Sequence, residues 1–191
     1  SRLTQNEEDA VDALSRLADR LGAAAETVKT FERRVTPRPT GPLDTKSIIQ
    51  AVAATMPAGL IVATDSGGGN AAHAYCQNAE SNSWLSLTGG AIGQGGPVAT
   101  GAALACPDRP VLAMLGDGGA AYTNQSFWTQ ARENLNVTTL IFANHSYNIL
   151  NVEYARLGVK EVGEIAASLF DIGNPELDWV AMAKGFGVKG T

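Results

Sequence analysis

The chain is poor in the residues that build metal and disulfide frameworks. Among 191 residues only two are cysteine, Cys76 and Cys106, and two are histidine, His73 and His145. Two thiols without metal-ligand spacing make no disulfide network, and they read as buried thiols in a reducing cytosol. The histidines are too few and too scattered for a zinc site and read as polar lining or surface groups. No apolar run approaches the length of a membrane span, and the opening SRLTQNEEDA is no signal peptide. A cytoplasmic protein with no membrane partner is the expectation. The net charge of −5 and the lack of any Lys/Arg cluster argue against a nucleic-acid partner. A G-x-G-x-x-G after the first predicted strand is missing, as is a P-loop Lys-Ser/Thr, which weighs against a nucleotide-binding module.

What is present is glycine, 21 residues of it, gathered at loops in a chain that is 45% hydrophobic. The length suits one sizeable core with a small appendage. Residues 4–21 carry Val11, Leu14, Leu17 and Leu21 at helical spacing, with Thr4 and Glu7 placed as a capping box and Gly22 as the stop. Residues 23–43, with Pro37, Pro39 and Pro42, read as a linker. The expected division is therefore 1–40, the tail of a preceding domain, and 41–191, the main domain. Asp44 or Thr45 caps a helix bearing Ile48, Ile49, Val52 and Met56, which Pro57 ends. Residues 60–64 form a strand running into the glycine loop Asp65-Ser66-Gly67-Gly68-Gly69-Asn70, and a helix over 71–77 points its N-terminus at any anion there. Asp65 is expected to cap its own loop. A short strand at 84–87 leads to Thr88-Gly89-Gly90-Ala91-Ile92-Gly93-Gln94-Gly95-Gly96-Pro97 and a helix over 97–104.

The densest signal follows. Val111-Leu112-Ala113-Met114-Leu115 has the composition of a buried parallel strand and ends in Gly116-Asp117-Gly118-Gly119. A helix over 124–132 and a strand over 137–143 come next, the latter ending at Asn144. Asp117 and Asn144 thus both stand at strand ends, where open parallel sheets bind ligands. A carboxylate and an amide oxygen are hard ligands suited to Mg²⁺. The amides of Gly118 and Gly119 would hold phosphate oxygens beside it. A helix is expected from Val152, and residues 177–188 read as another, closed by Gly185.

This strand–GDG–helix–strand–Asn order resembles the diphosphate-binding motif of thiamine-diphosphate (ThDP) enzymes. The family usually has two asparagines at the second strand end; here the first is Ala143, and Asn144 takes the metal-binding place. The resemblance implies Mg²⁺ held by Asp117, Asn144 and the carbonyl of Ser146, with ThDP contacted by Gly116, Gly118, Gly119 and Tyr147. It also implies diphosphate contact at Gly67 and Gly68, through backbone amides, since the family's hydroxyl residues are absent. Residues 88–97 resemble the segment that holds the middle of the cofactor. There Ile92 would prop its bent shape and the Gly90 carbonyl would accept from its exocyclic amine, which makes these two the catalytic candidates.

The resemblance is close over 44–191 and points to acetolactate synthase large subunits and benzoylformate decarboxylases. It implies an α/β fold with a mainly parallel sheet, and decarboxylation or carboligation of a small 2-keto acid. It further implies a homo-oligomer in which a partner subunit supplies the missing pyrimidine-binding domain, and both ends of the chain look cut. Trp128-Thr129, Tyr147 and Leu150 look more like the decarboxylase, and Glu153 stands where acetolactate synthases carry Trp. A non-catalytic nucleotide- or partner-binding α/β module is the alternative of another class.

Overall fold

The structure is a computed structural model that describes residues 7–23 and 32–191. It divides into two compact units, Ser1–Glu32 and Arg33–Thr191. In the first unit α1 spans Ala10–Leu21. Its predicted start is corrected: Thr4 lies outside the described residues, and Asp9 is the cap, accepting from the amides of Val11 at 2.8 Å and Asp12 at 3.0 Å. Gly22 closes the helix in the left-handed region with φ 66°, a conformation glycine adopts without a Cβ penalty.

The boundary between units falls ahead of Gly41, so the Pro-rich stretch goes with the second unit. It is tied there by the Arg34 amide donating to the Asn78 carbonyl at 2.8 Å and by an Arg33–Glu80 ion pair. Helix α2 (Thr45–Thr55) begins with a reciprocal capping box between Asp44 and Ser47, whose hydrogen bonds hold the Asp44 carboxyl below its ordinary value. Then follow β1 (Ile61–Thr64), α3 (Gly67–Cys76), β2 (Ser83–Ser86), α4 (Gly95–Ala105) and β3 (Val111–Gly116). After these come α5 (Asp117–Tyr122), α6 (Ser126–Arg132), β4 (Val137–Phe142), α7 (Asn148–Arg156), α8 (Glu164–Phe170) and α9 (Trp179–Gly185).

All four strands are parallel in the order β2-β1-β3-β4, as expected for the α/β class. The chain leaves β1 for the β2 edge and then crosses back to β3. The switch point of the sheet therefore lies between β1 and β3, where an open α/β sheet offers its crevice. Side chains alternate across the two faces with the period of a strand. Val62, Leu112 and Met114 pack with Ile49, Val52 and Met56 of α2 and with Ala72 and Cys76 of α3. Ile61, Ala63, Val111, Ala113 and Leu115 face Ala99 and Ala103 of α4 and Ala120 of α5. The small residues of α4 let that helix approach the sheet closely.

Three local expectations are corrected. The glycines at 67–69 are not a loop before a helix at 71; they form the first turn of α3, capped by Ser66, whose Oγ accepts from the Gly69 amide at 2.9 Å. A Cβ on Gly68 would lie 3.3 Å from the Phe142 ring, and one on Gly69 only 1.7 Å from Thr64 Oγ1, so close helix–sheet packing requires these glycines. The stretch after β3 is two helices, α5 starting directly at Asp117, rather than one helix from 124. Helix α7 begins at Asn148 rather than 152, and α8, whose buried residue is Phe170, was not expected.

Candidate functional site

The ends of β3 and β4 are bound together by one side chain. Six residues of β3 pair in register with β4, from Val111 with Val137 to Gly116 with Phe142. Beyond the last pair, the Asp117 carboxylate is 3% exposed and does the joining. Its Oδ2 accepts from the amides of Asn144 at 3.0 Å and His145 at 2.7 Å, and its Oδ1 from the Gly118 amide at 2.9 Å. His145 takes a left-handed φ of 56°. Asn144 Oδ1 accepts from the Ser146 amide at 3.0 Å, folding residues 144–146 into a tight Asx turn. The sequence-predicted metal set thus comes together at the strand ends, with Asn144 and Ser146 in one turn and Asp117 bonded to that turn from the end of β3.

Whether these residues suit a divalent cation is a question of charge and lone pairs. A buried carboxylate needs a countercharge or a metal. Among the described residues no basic side chain pairs with Asp117. A carboxylate offers about four acceptor sites and an amide oxygen two. Three amides bind Asp117 and one binds Asn144, so both keep oxygen capacity for a hard cation. The donor set fits Mg²⁺.

The diphosphate candidates lie beside it. Gly118 and Gly119 stand in the first turn of α5, where backbone N–H groups lack intrahelical acceptors. Tyr147 lies over this turn: a Cβ on Gly118 would come within 2.7 Å of its ring, which also pairs with Tyr122 at 6.2 Å. Packing alone does not demand glycine at 116, where a Cβ would meet only Ser66, at 3.8 Å. Gly67 and Gly68 open α3 at the adjacent strand end.

Gly90 and Ile92 lie in the loop between β2 and α4. Gly89, Gly90 and Gly93 all have positive φ, and the Ile92 amide donates to the Gly90 carbonyl at 2.9 Å, which leaves that carbonyl a second lone pair. Ile92 is 49% exposed, so it is not a core aliphatic. The histidines lie apart from the metal ligands in role. His73 packs edge-on against Trp84 at 5.2 Å, and His145 Nε2 lies 3.7 Å from Glu176. Cys76 is buried and Cys106 half-buried, both free; burial pushes the Cys76 thiol up to about 11.

Asp65 behaves differently from its sequence reading. It does not cap its own loop, a task Ser66 performs. Its Oδ2 accepts from the Gly95 amide at 3.1 Å across the site, while Oδ1 is buried with no hydrogen-bond partner among the described residues. Burial raises its pKa, against the opposing pull of backbone amides. A strand-end acid followed by a serine before a glycine run was the available signal: the serine takes the cap and frees the acid.

Residues 65–191 match the family described as "Thiamine pyrophosphate enzyme, C-terminal TPP binding domain". The chain belongs to this family of ThDP-binding domains. It is 44% identical over 182 residues to the Mycobacterium tuberculosis protein named "Putative acetolactate synthase large subunit IlvX", covering 94% of this chain and 35% of that protein. It is 32% identical over 152 residues to the benzoylformate decarboxylase of Pseudomonas aeruginosa, covering 78% of this chain and 27% of that enzyme. Among solved structures, the ThDP-dependent 4-hydroxybenzoylformate decarboxylase of Rhodococcus jostii RHA1 superposes with a TM-score of 0.71 at 26% identity, over 94% of this chain and 33% of that one. The chain thus spans about a third of the length of these relatives. No helix among the described residues is long and apolar enough to cross a membrane.

Proposed function

We propose that this chain is the diphosphate- and Mg²⁺-gripping half of a ThDP-dependent 2-keto acid enzyme of the acetolactate synthase large-subunit type. One observation carries the reading: the buried Asp117 carboxylate, without a basic partner among the described residues, joins the ends of β3 and β4 beside Asn144. Asp117, Asn144 and the Ser146 carbonyl would hold the metal. The Gly119 amide in the first turn of α5, with those of α3 at Gly67 and Gly68, would orient phosphate oxygens, the Gly118 amide being given already to Asp117 Oδ1. Gly116 leaves the approach open and Tyr147 shields the turn from water. When bound, ThDP supplies the nucleophile and electron sink that release CO₂ from a 2-keto acid. On the loop ahead of α4, Ile92 would prop the shape of the bound cofactor, and the Gly90 carbonyl would accept from its exocyclic amine.

In this reading the first unit is a preceding domain's tail, and the Pro-rich stretch from Arg33 onward leads into the cofactor domain. The substrate is a small 2-keto acid, the pyrimidine-binding domain comes from a partner subunit of a homo-oligomer, and the location is cytoplasmic. A benzoylformate-decarboxylase-like activity is the second reading, favoured by Leu150 on α7, which puts an apolar side chain, 39% exposed, on the segment that opens with Tyr147. The test is calorimetric titration of the chain with ThDP, with and without Mg²⁺. Metal-dependent binding that Asp117→Ala abolishes is expected; affinity unchanged in that variant overturns the assignment.

A further inference from the structure

We propose that Asp65 is a positioning residue that locks the loop at 89–96 to the turn at 116–119 across the switch point of the sheet. What those two segments hold rests on the reading given under Proposed function; the lock itself rests on geometry.

The backbone around Asp65 has little freedom. Thr64 pairs with Ser86 on one side and Met114 on the other. Thr64 Oγ1 donates to the Met114 carbonyl at 3.0 Å, and Ser66 Oγ donates to the same carbonyl at 3.3 Å. Residues on both sides of Asp65 are therefore pinned to β3, and its side chain is delivered into the crevice between β1 and β3.

Two glycines receive it. Oδ2 accepts from the Gly95 amide at 3.1 Å, at the first residue of α4. A Cβ on Gly95 would lie 3.0 Å from the Asp65 Cγ, and one on Gly119 would lie 3.2 Å from each carboxylate oxygen. At Gly119 the carboxylate is the nearest obstacle to a side chain; at Gly95 it crowds a Cβ together with Leu115, whose Cδ2 would lie closer, at 2.4 Å. A second tie runs the same way, from the Thr123 hydroxyl to the Gly93 carbonyl at 2.6 Å. Through these contacts the segment bearing Gly90 and Ile92 and the segment bearing Asp117 keep one fixed relation. Orientation at that scale governs the rate of any reaction between groups held on the two sides.

The experiment reads amide hydrogen exchange in the whole 191-residue chain, with the amides at 93–96 as reporter and those of β4 as control. Asp65→Ala should raise exchange at 93–96 by about tenfold or more, as for a lost hydrogen bond to a charged group. Asp65→Asn, which keeps an acceptor oxygen, should restore most of the protection. Gly119→Ala sets a methyl against the carboxylate and should also raise exchange at 93–96, although Gly119 lies in the other segment. In the Asp65→Ala background that remote effect should vanish, the signature of coupling through one residue. If Asp65→Ala does not fold, Asp65→Ser, too short to reach Gly95, replaces it. Added Mg²⁺ and ThDP should protect both segments together in the wild type, but only 117–120 in Asp65→Ala.

Three results overturn the lock: an effect of Gly119→Ala that is the same in both backgrounds, a rise in exchange that includes β4 equally, or no change at 93–96 in any Asp65 variant. A wild-type chain that ignores Mg²⁺ and ThDP while the Gly119–Asp65 coupling persists sinks the cofactor reading and leaves the lock standing.

Discussion

At the scale of single residues, the two groups of the proposed metal site differ in what they would contribute. Asp117 brings a charge that is already desolvated, whereas Asn144 brings a dipole on a more exposed turn. Loss of the charge removes the bridge between diphosphate and protein; loss of the dipole removes one of several oxygen ligands. Asp117→Ala should therefore weaken Mg²⁺-dependent ThDP binding by at least roughly a hundredfold, and Asn144→Ala by about tenfold, read by titration at fixed Mg²⁺. The reverse order would mean that Asp117 only fastens the strand ends. Ile92 gives a second test. Because it is 49% exposed, truncation to alanine should cost less than about 1 kcal/mol of stability. It should leave cofactor affinity nearly unchanged and lower kcat in the assembled enzyme. A loss of about 2–5 kcal/mol, as for a buried aliphatic, measured by denaturant unfolding, would refute the propping role.

At the scale of elements, glycine carries opposite meanings in two helices. Gly101 lies inside α4 and a Cβ there would meet nothing within 4 Å. Gly101→Ala should stabilise the protein by about 0.5–1 kcal/mol, the ordinary helix-propensity gain. Gly69 lies inside α3, where a Cβ would fall 1.7 Å from Thr64 Oγ1, and Gly69→Ala should destabilise by about 1–3 kcal/mol through overpacking. Paired thermal melts check both signs. The same helix buries Cys76, whose thiol titrates near 11 against an ordinary 9.0. Between those values the unfolded chain releases a proton that the native one retains, so stability should fall as pH rises above about 9. Cys76→Ala should flatten that part of the pH–stability curve.

The contrast between the glycines shows what the sequence could and could not disclose. The run 111–115 announced a strand because burial on both faces leaves no polar residues to blur the pattern, while 137–142, only partly buried, showed through its β-branched residues and apolar end. The Asp117 and Asn144 positions were legible because each follows such a run directly. The glycines at 67–69 were read as a loop because glycine signals a turn in isolation. Their true reason, the approach of Thr64 and Phe142, is a contact between residues that only the folded sheet brings together. Asp65 was misread for the same cause, since its partner Gly95 is 30 residues away. Helix α8 escaped because a seven-residue helix with only Phe170 buried carries too little periodicity.

At the scale of the molecule, the decisive fact is how much of a catalytic unit one sheet can hold. In the proposed reading the segments gathered at the ends of β1, β3 and β4 would supply ligands for a metal and a diphosphate. The loop at 89–96 supplies Gly90 and Ile92, yet Ile92 stands half-exposed with no wall opposite it among the described residues. The proposed chemistry needs a second domain to hold the cofactor's other ring, and the relatives are about three times as long as this chain. Beside that loop Tyr122, next to Gly93, is a further exposed apolar group at 61%, of the kind that marks an interaction face. The 191-residue chain on its own should therefore turn over neither pyruvate nor benzoylformate with ThDP and Mg²⁺ supplied. It should bind ThDP weakly, through the diphosphate end, and self-associate to cover the exposed face. Steady-state CO₂ release and sedimentation of the purified chain decide the matter. Decarboxylation at ordinary enzyme rates, about 1 s⁻¹ or faster, would show that the fold described here holds a complete site and that the missing wall is supplied from within it.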